Sequence, residues 1–381
     1  MTAYNNVTLQ NLYIQKETAA AVKKKLVTND ESTKIREAHP VDLYTPNLFV
    51  KIGLGFLTGL IALCASGLFL LIFQVGDSIR VFLFFMAIVS YVVLEIMTGE
   101  KKHYNSGVDN VLMIICATLM VTAISFNDYG SNKDLLMSFT LLVLSTYFAL
   151  RFADSFAACV AVVSLLSFIF LAYVHNEATM YTVHYLLIII SAIAYYFSNK
   201  FLKNNSLIIY REALFYITVA ALLSFYFSGN FYVVNSLAKN IYVLQSHTSS
   251  LGTWFLWLWT MIVPIVYLAI GIKRQNILLL RLGAILVAAS ILTFRYYHSI
   301  MSPEAAMIIG GSLLLVISYT LMQLLALPKH GFVFDKYNQD EENNNFEALI
   351  PVLLPGAQKP AAEGTELGGG SFGGAGAGGN Y

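Results

Sequence analysis

Charge is scarce in this chain: Asp, Glu, Lys and Arg supply 12% of its residues, and 23 basic against 22 acidic side chains leave a net charge of +1. That balance raises no field to draw in nucleic acid or an acidic partner. Cysteine is scarce too. Cys64, Cys116 and Cys159 lie in apolar stretches with no C-x-x-C spacing and no clustered histidines, which argues against a disulfide framework or a structural zinc site. There is no H-E-x-x-H, no Walker loop and no strand-borne G-x-G-x-x-G, so metal hydrolysis and nucleotide chemistry have no foothold. No catalytic residue, cofactor or metal ligand is therefore expected. The first 40 residues are polar and lack the short apolar core of a cleavable signal peptide, which leaves the first spanning helix to direct insertion.

Hydrocarbon is abundant instead. Hydrophobic residues make up 57% of the 381, with a mean hydropathy of +0.66, more apolar surface than a soluble domain of this size can hide. Lipid must be part of the solvent. Crossing a hydrocarbon core of roughly 30 Å takes about 20 apolar residues in a helix, because lipid offers no partner to an unpaired backbone amide. Ten such stretches are present, at approximately 49–75, 79–98, 108–126, 134–152, 156–174, 180–198, 207–228, 251–272, 276–294 and 304–326. The fold class expected is an all-α polytopic bundle. Only Arg151-Phe152-Ala153-Asp154 separates the fourth stretch from the fifth, so 134–174 reads either as two spans or as a re-entrant hairpin.

Orientation follows from the basic residues near the membrane. One set of alternate loops carries Lys101, Lys102, Arg151, Lys200, Lys203, Arg211, Lys273, Arg274 and Arg281, joined by Lys23, Lys24, Lys25, Lys34, Arg36 and Lys51 of the N-terminal region. The opposite set holds only Arg80, Lys133, Lys239 and Arg295. Both termini are thus expected in the cytoplasm, in agreement with an even number of crossings.

Three regions flank or interrupt the spans. In the arm, 1–46, Leu9, Leu12, Ala19 and Leu26 recur at loosely helical spacing ahead of Lys23-Lys24-Lys25, which fits either a cationic helix on anionic headgroups or a solvated, frayed helix. In the long loop Gly229 to Ser250, Phe231, Val234, Leu237, Ile241 and Leu244 predict a short interfacial helix. The tail, 328–381, is acidic and then rich in proline and glycine; it cannot recover its ordering entropy by burial and is expected to be disordered.

Ionisable groups at membrane depth are the default pointers to function. Glu95, His184 and Arg281 qualify, each about one turn from a span end, and matching depth suggests a Glu95–Arg281 pair. Arg295, His298 and Glu304 are candidates for an outer vestibule, although Ser302-Pro303-Glu304 is also a sufficient helix start. Cys64-Ala65-Ser66-Gly67 resembles the small-residue run around the serine nucleophile of rhomboid proteases, but no histidine base lies at similar depth. Close helix packing accounts for these residues and for Gly55-Phe56-Leu57-Thr58-Gly59. The matched pair of broken helices typical of inverted-repeat transporters is missing: helix one has Gly53, Gly55, Gly59 and Gly67, whereas helix six has neither glycine nor proline, and Pro264 is the sole mid-span proline.

Leu43-Tyr44-Thr45-Pro46-Asn47-Leu48-Phe49-Val50-Lys51-Ile52-Gly53 and Pro303-Glu304-x-Ala306 followed by Gly310-Gly311-Ser312-Leu313-Leu314-Leu315 resemble uncharacterised bacterial polytopic inner-membrane proteins. That resemblance implies inner-membrane residence and brings no activity with it. The tail Gly368 to Tyr381 is similar to the glycine-rich endings of membrane-anchored TPM-domain proteins, which implies a shared partner; the domain itself is not in the sequence. The expected role is a membrane scaffold or accessory subunit, not an enzyme, with the bilayer and a protein docking on the arm or tail as partners. The alternative is a secondary transporter of a small solute or lipid-related molecule.

Overall fold

The computed structural model describes residues 2–23, 26–73, 78–126, 132–174, 182–242, 250–274 and 276–298, together with six scattered positions between 308 and 319. The described residues are helical throughout, with a single isolated bridge between Tyr44 and His103 and no strand. Two polar helices, α1 (Asn6–Lys23) and α2 (Asn29–Ala38), precede α3 (Leu48–Phe73), α4 (Ile79–Gly99), α5 (Val108–Ser125), α6 (Lys133–Phe152) and α7 (Ser155–Val174). After these come α8 (Val183–Leu202), a 3-10 turn (Asn205–Tyr210), α9 (Arg211–Phe227), α10 (Phe231–Tyr242), α11 (Ser250–Lys273) and α12 (Ile277–Tyr297).

Nine of the described helices are long and apolar enough to cross a membrane. They match the first nine stretches expected from the sequence. The tenth, 304–326, and the whole tail fall outside the described residues, apart from scattered helical positions. At the junction of the fourth and fifth stretches the chain forms two separate helices, α6 and α7, each 20 residues long and packed on one another as an antiparallel hairpin. Ala153, in the left-handed region at φ 50°, ends α6 and lets the chain reverse within two residues.

Successive helices pair in the same way: α4 packs on α5, α8 on α9 and α11 on α12, while α9 also lies along α7. Inside the spans, serine and threonine hydroxyls return hydrogen bonds to their own helices, as Ser90 does to the Met86 carbonyl (2.8 Å) and Thr260 to that of Leu256 (2.8 Å). These buried hydroxyls need no outside partner. Two apolar cores result. One joins α4, α5, α6 and α7 through Leu94, Leu112, Met113, Phe148, Phe152 and Ala157; the other joins α9, α11 and α12 through Tyr226, Val263, Tyr267 and Leu286.

The arm is part of the first core, and α1 is a continuous helix from Asn6 to Lys23. Tyr4, Leu9 and Leu12 are buried with Leu94, Leu112 and Phe152, because α1 folds back across the end of the bundle where α4 ends and α5 begins. α3 behaves in the opposite manner: of its 26 residues only Gly55 is buried, so close to α5 that a Cβ there would stand 3.3 Å from Val111. A Cβ at Gly53 or Gly67 would meet nothing within 4 Å among the described residues, so close packing there accounts for Gly55 and not for Gly67. The Ser66 hydroxyl is spent on its own helix, at the Ala62 carbonyl (2.7 Å).

Candidate functional site

The helix ends meet at two opposite sides, here called the arm side and the far side. On the arm side, the loop 100–107 is pinned by three residues at positive φ, Lys102 (55°), Asn105 (50°) and Gly107 (93°). Gly107 is required: a Cβ there would stand 2.1 Å from the Lys51 carbonyl oxygen, and its backbone conformation is one that side-chain-bearing residues rarely adopt. The Asp109 carboxylate, in the first turn of α5, holds the loop by accepting from Asn105 N (2.6 Å), Ser106 N (2.8 Å) and Ser106 Oγ (3.0 Å). Lys51 of α3 donates to Asn105 Oδ1.

Asp154, at the α6–α7 reversal, accepts from Ala157 N (2.6 Å) and from Asn110 Nδ2 (2.9 Å). It caps α7 and ties it to α5. The partner amide is only half used, since Asn110 Oδ1 is buried with no hydrogen bond among the described residues. Asp154 keeps some accessible surface, yet protein crowds it on most sides, and that crowding pushes its carboxyl up to about 6. The nearby Asp109 charge acts in the same direction, while the Ala157 N–H and Lys51 act against it.

The arm closes over this layer. Ala3 N donates to the Arg151 carbonyl (2.7 Å), the Tyr4 hydroxyl donates to the His103 carbonyl (2.9 Å), and Tyr4 meets Tyr104 edge-on at 5.1 Å. Burial raises both phenols well above the usual tyrosine range. Farther along, Lys16 pairs with Glu212 (2.6 Å) and Arg211 lies over the Tyr13 ring at 5.5 Å.

Glu95 is indeed paired at this depth, but with Arg151 of α6 and not with Arg281. Arg151 Nε reaches Oε1 at 3.1 Å and Nη2 reaches Oε2 at 3.0 Å, a two-pronged contact. The Tyr91 hydroxyl donates to Glu95 Oε1 (2.6 Å) and touches the Tyr147 hydroxyl (2.6 Å). Arg281 sits near the start of α12, whose main neighbour is α11 rather than α4. The two residues stand on helices that are not main neighbours.

The far side is aromatic. The helix expected in the long loop is α10, and its start is anchored at Asn230, which bonds the Tyr226 hydroxyl (3.0 Å), Thr293 Oγ1 (3.3 Å) and Val233 N (3.1 Å). Phe231 stacks on Trp257 (4.6 Å) and meets Tyr297 (4.8 Å). His298 ends α12 with its ring against Phe294 (4.8 Å) and Trp257 (5.3 Å), three residues from Arg295 in the last turn. Glu304 lies outside the described residues. His184, near the start of α8, packs its ring on Tyr185 (3.9 Å), and its Nε2 has no hydrogen bond among the described residues. It stands apart from both clusters.

Asp109, Asn110 and Asp154 are the site residues that sequence reasoning did not single out. Ser106-x-x-Asp109 is the spacing of a helix-start box, a signal that would have found Asp109. No family model, curated protein or solved structure matches the chain. What the fold defines is therefore a class: a helical protein with, among the described residues, nine helices long and apolar enough to suit a multi-pass membrane protein.

Proposed function

We propose that this chain is a multi-pass protein of the bacterial inner membrane, with its arm side in the cytoplasm, acting as a scaffold or accessory subunit and not as an enzyme. One observation carries the reading. In the described spans, charged side chains stand within five residues of a helix end, and the deeper polar groups are chiefly hydroxyls, many bonded to their own helix backbone. Ion-coupled transport calls for charged or wet polar groups near the bilayer centre. A scaffold needs only packed helices and accessible surfaces, and α3 offers a long, largely exposed apolar face that meets α5 near Gly55 and α4 through Phe69 and Phe85.

The excess of basic residues in the loops 100–107, 203–210 and 274–276 supports cytoplasmic placement of the arm side. Reporter fusions after Lys101 and Lys203 should fall in one compartment and a fusion after Ser228 in the other; a shared compartment for all three would refute the topology. For the role, purified protein reconstituted in vesicles should leave imposed proton and sodium gradients intact. Protein-dependent collapse of either gradient would replace the scaffold with the transporter.

A further inference from the structure

We propose that Asp154, together with Asn110, forms a proton-binding site whose occupancy is coupled to the seating of the N-terminal arm. The geometry starts from the amide. With Asp154 ionised, Asn110 must offer Nδ2 to the carboxylate, which leaves its Oδ1 buried and without a partner among the described residues, as found. Once Asp154 takes a proton from water, the amide turned over about its last torsion accepts that hydrogen on Oδ1. An asparagine can serve both charge states of its neighbour; a leucine would serve neither, and a second aspartate would repel the ionised form.

The coupling follows from what covers the site. Ala3 and Tyr4 pack with Phe152 and Ala157, on either side of Asp154 in sequence, and Ala3 N holds the Arg151 carbonyl. Other groups facing the carboxyl are Asp109 from α5, Lys51 from α3, Tyr104 from the 100–107 loop, Tyr4 from the arm and Cys159 one turn along α7. Of these only Lys51 favours the ionised form, and its ammonium is already engaged by Asn105. Lifting the arm admits water to the carboxyl and restores its ordinary acidity. By reciprocity, protonation must hold the arm down. Seating therefore tightens as pH falls from about 6 towards the ordinary carboxylate value near 3.8.

The test places spin labels at Gln10→Cys and Lys203→Cys in full-length protein whose Cys64, Cys116 and Cys159 are replaced by alanine. The ratio of lifted to seated arm should rise by up to about tenfold per pH unit between about pH 4 and 6 and then level off. Asp154→Asn should abolish that response. An infrared titration of the unlabelled wild type gives a second reading: a protonated-carboxyl band with its midpoint near 6, missing in Asp154→Asn. A pH-insensitive arm, a response that survives Asp154→Asn, or a carboxyl band unchanged by that substitution would each overturn the proposal.

Discussion

The two sides of the bundle solve the same problem, ending helices without stranding polar groups, by different chemistry. The arm side uses charge: Glu95 with Arg151, Asp109 with its loop amides, Asp154 with Asn110, and a backbone forced through Gly107. The far side uses rings and hydroxyls, with Phe231, Trp257 and Tyr297 packed around an Asn230 whose bonds are all to neutral groups. Charge is sensitive to pH, salt and the loss of one partner, whereas apolar ring packing is not. Disturbances of the ion pairs and carboxylates should therefore be felt chiefly on the arm side.

The sharpest way to break the comparison is with one methyl group on each side. Gly107→Ala sets a Cβ 2.1 Å from a backbone oxygen at a positive φ, whereas Gly229→Ala sets one 2.4 Å from the Trp259 ring, a side chain that can turn aside. Gly107→Ala should cost roughly 3 kcal/mol or more and displace the 100–107 loop; Gly229→Ala should cost clearly less. Thermal unfolding of both variants in one detergent, followed by tryptophan emission, decides it. Equal losses would mean that the two sides are equally rigid.

Next in size is the ion pair. Arg151→Ala strands the Glu95 carboxylate, whose side chain is 27% exposed, and should cost about 2 kcal/mol, between surface and buried values. Adding Glu95→Ala should return part of that loss, a coupling that a double-mutant cycle measures directly. The same cycle run on Glu95 and Arg281 should show none. A coupling of comparable size there would restore the partner first expected from depth.

Those two cycles also show what a sequence can and cannot disclose. Depth is a one-dimensional property, readable from hydropathy, so α4 appeared as 79–98 against the observed Ile79–Gly99, and the period in Phe231 to Leu244 announced α10. Which helix stands beside which is a property of the packed bundle. Arg151 was visible only as a basic residue in a tight turn, and Asp154 only as the end of a polar knot. Both gained their roles from neighbours 44 to 56 residues away in the chain. The arm misled for a similar reason: its apolar stripe is narrow, and Tyr4 and Leu12 are buried because loop 100–107 and α5 rise to meet them.

A smaller effect concerns acid. Because the folded Asp154 carboxyl sits near 6, above its ordinary 3.8, its contribution to stability is fully present below 3.8 and lost as pH rises through about 6. Melting temperatures of the wild type should thus fall relative to Asp154→Asn as pH rises from about 4 to 7. Parallel curves for the two proteins would remove Asp154 from the arm side's pH response.

The smallest effect expected is at Lys16 and Glu212, where both side chains are over 40% exposed and water screens the pair. Lys16→Ala should cost no more than about 0.5 kcal/mol, and raising salt should shrink even that, since exposed charges are screened within a Debye length. The arm is held instead by Tyr4, Leu9 and Leu12, so Leu12→Ala should loosen it far more than Lys16→Ala under identical conditions. If high salt alone freed the arm, as read by the Gln10 and Lys203 labels, charge rather than apolar burial would be its principal anchor.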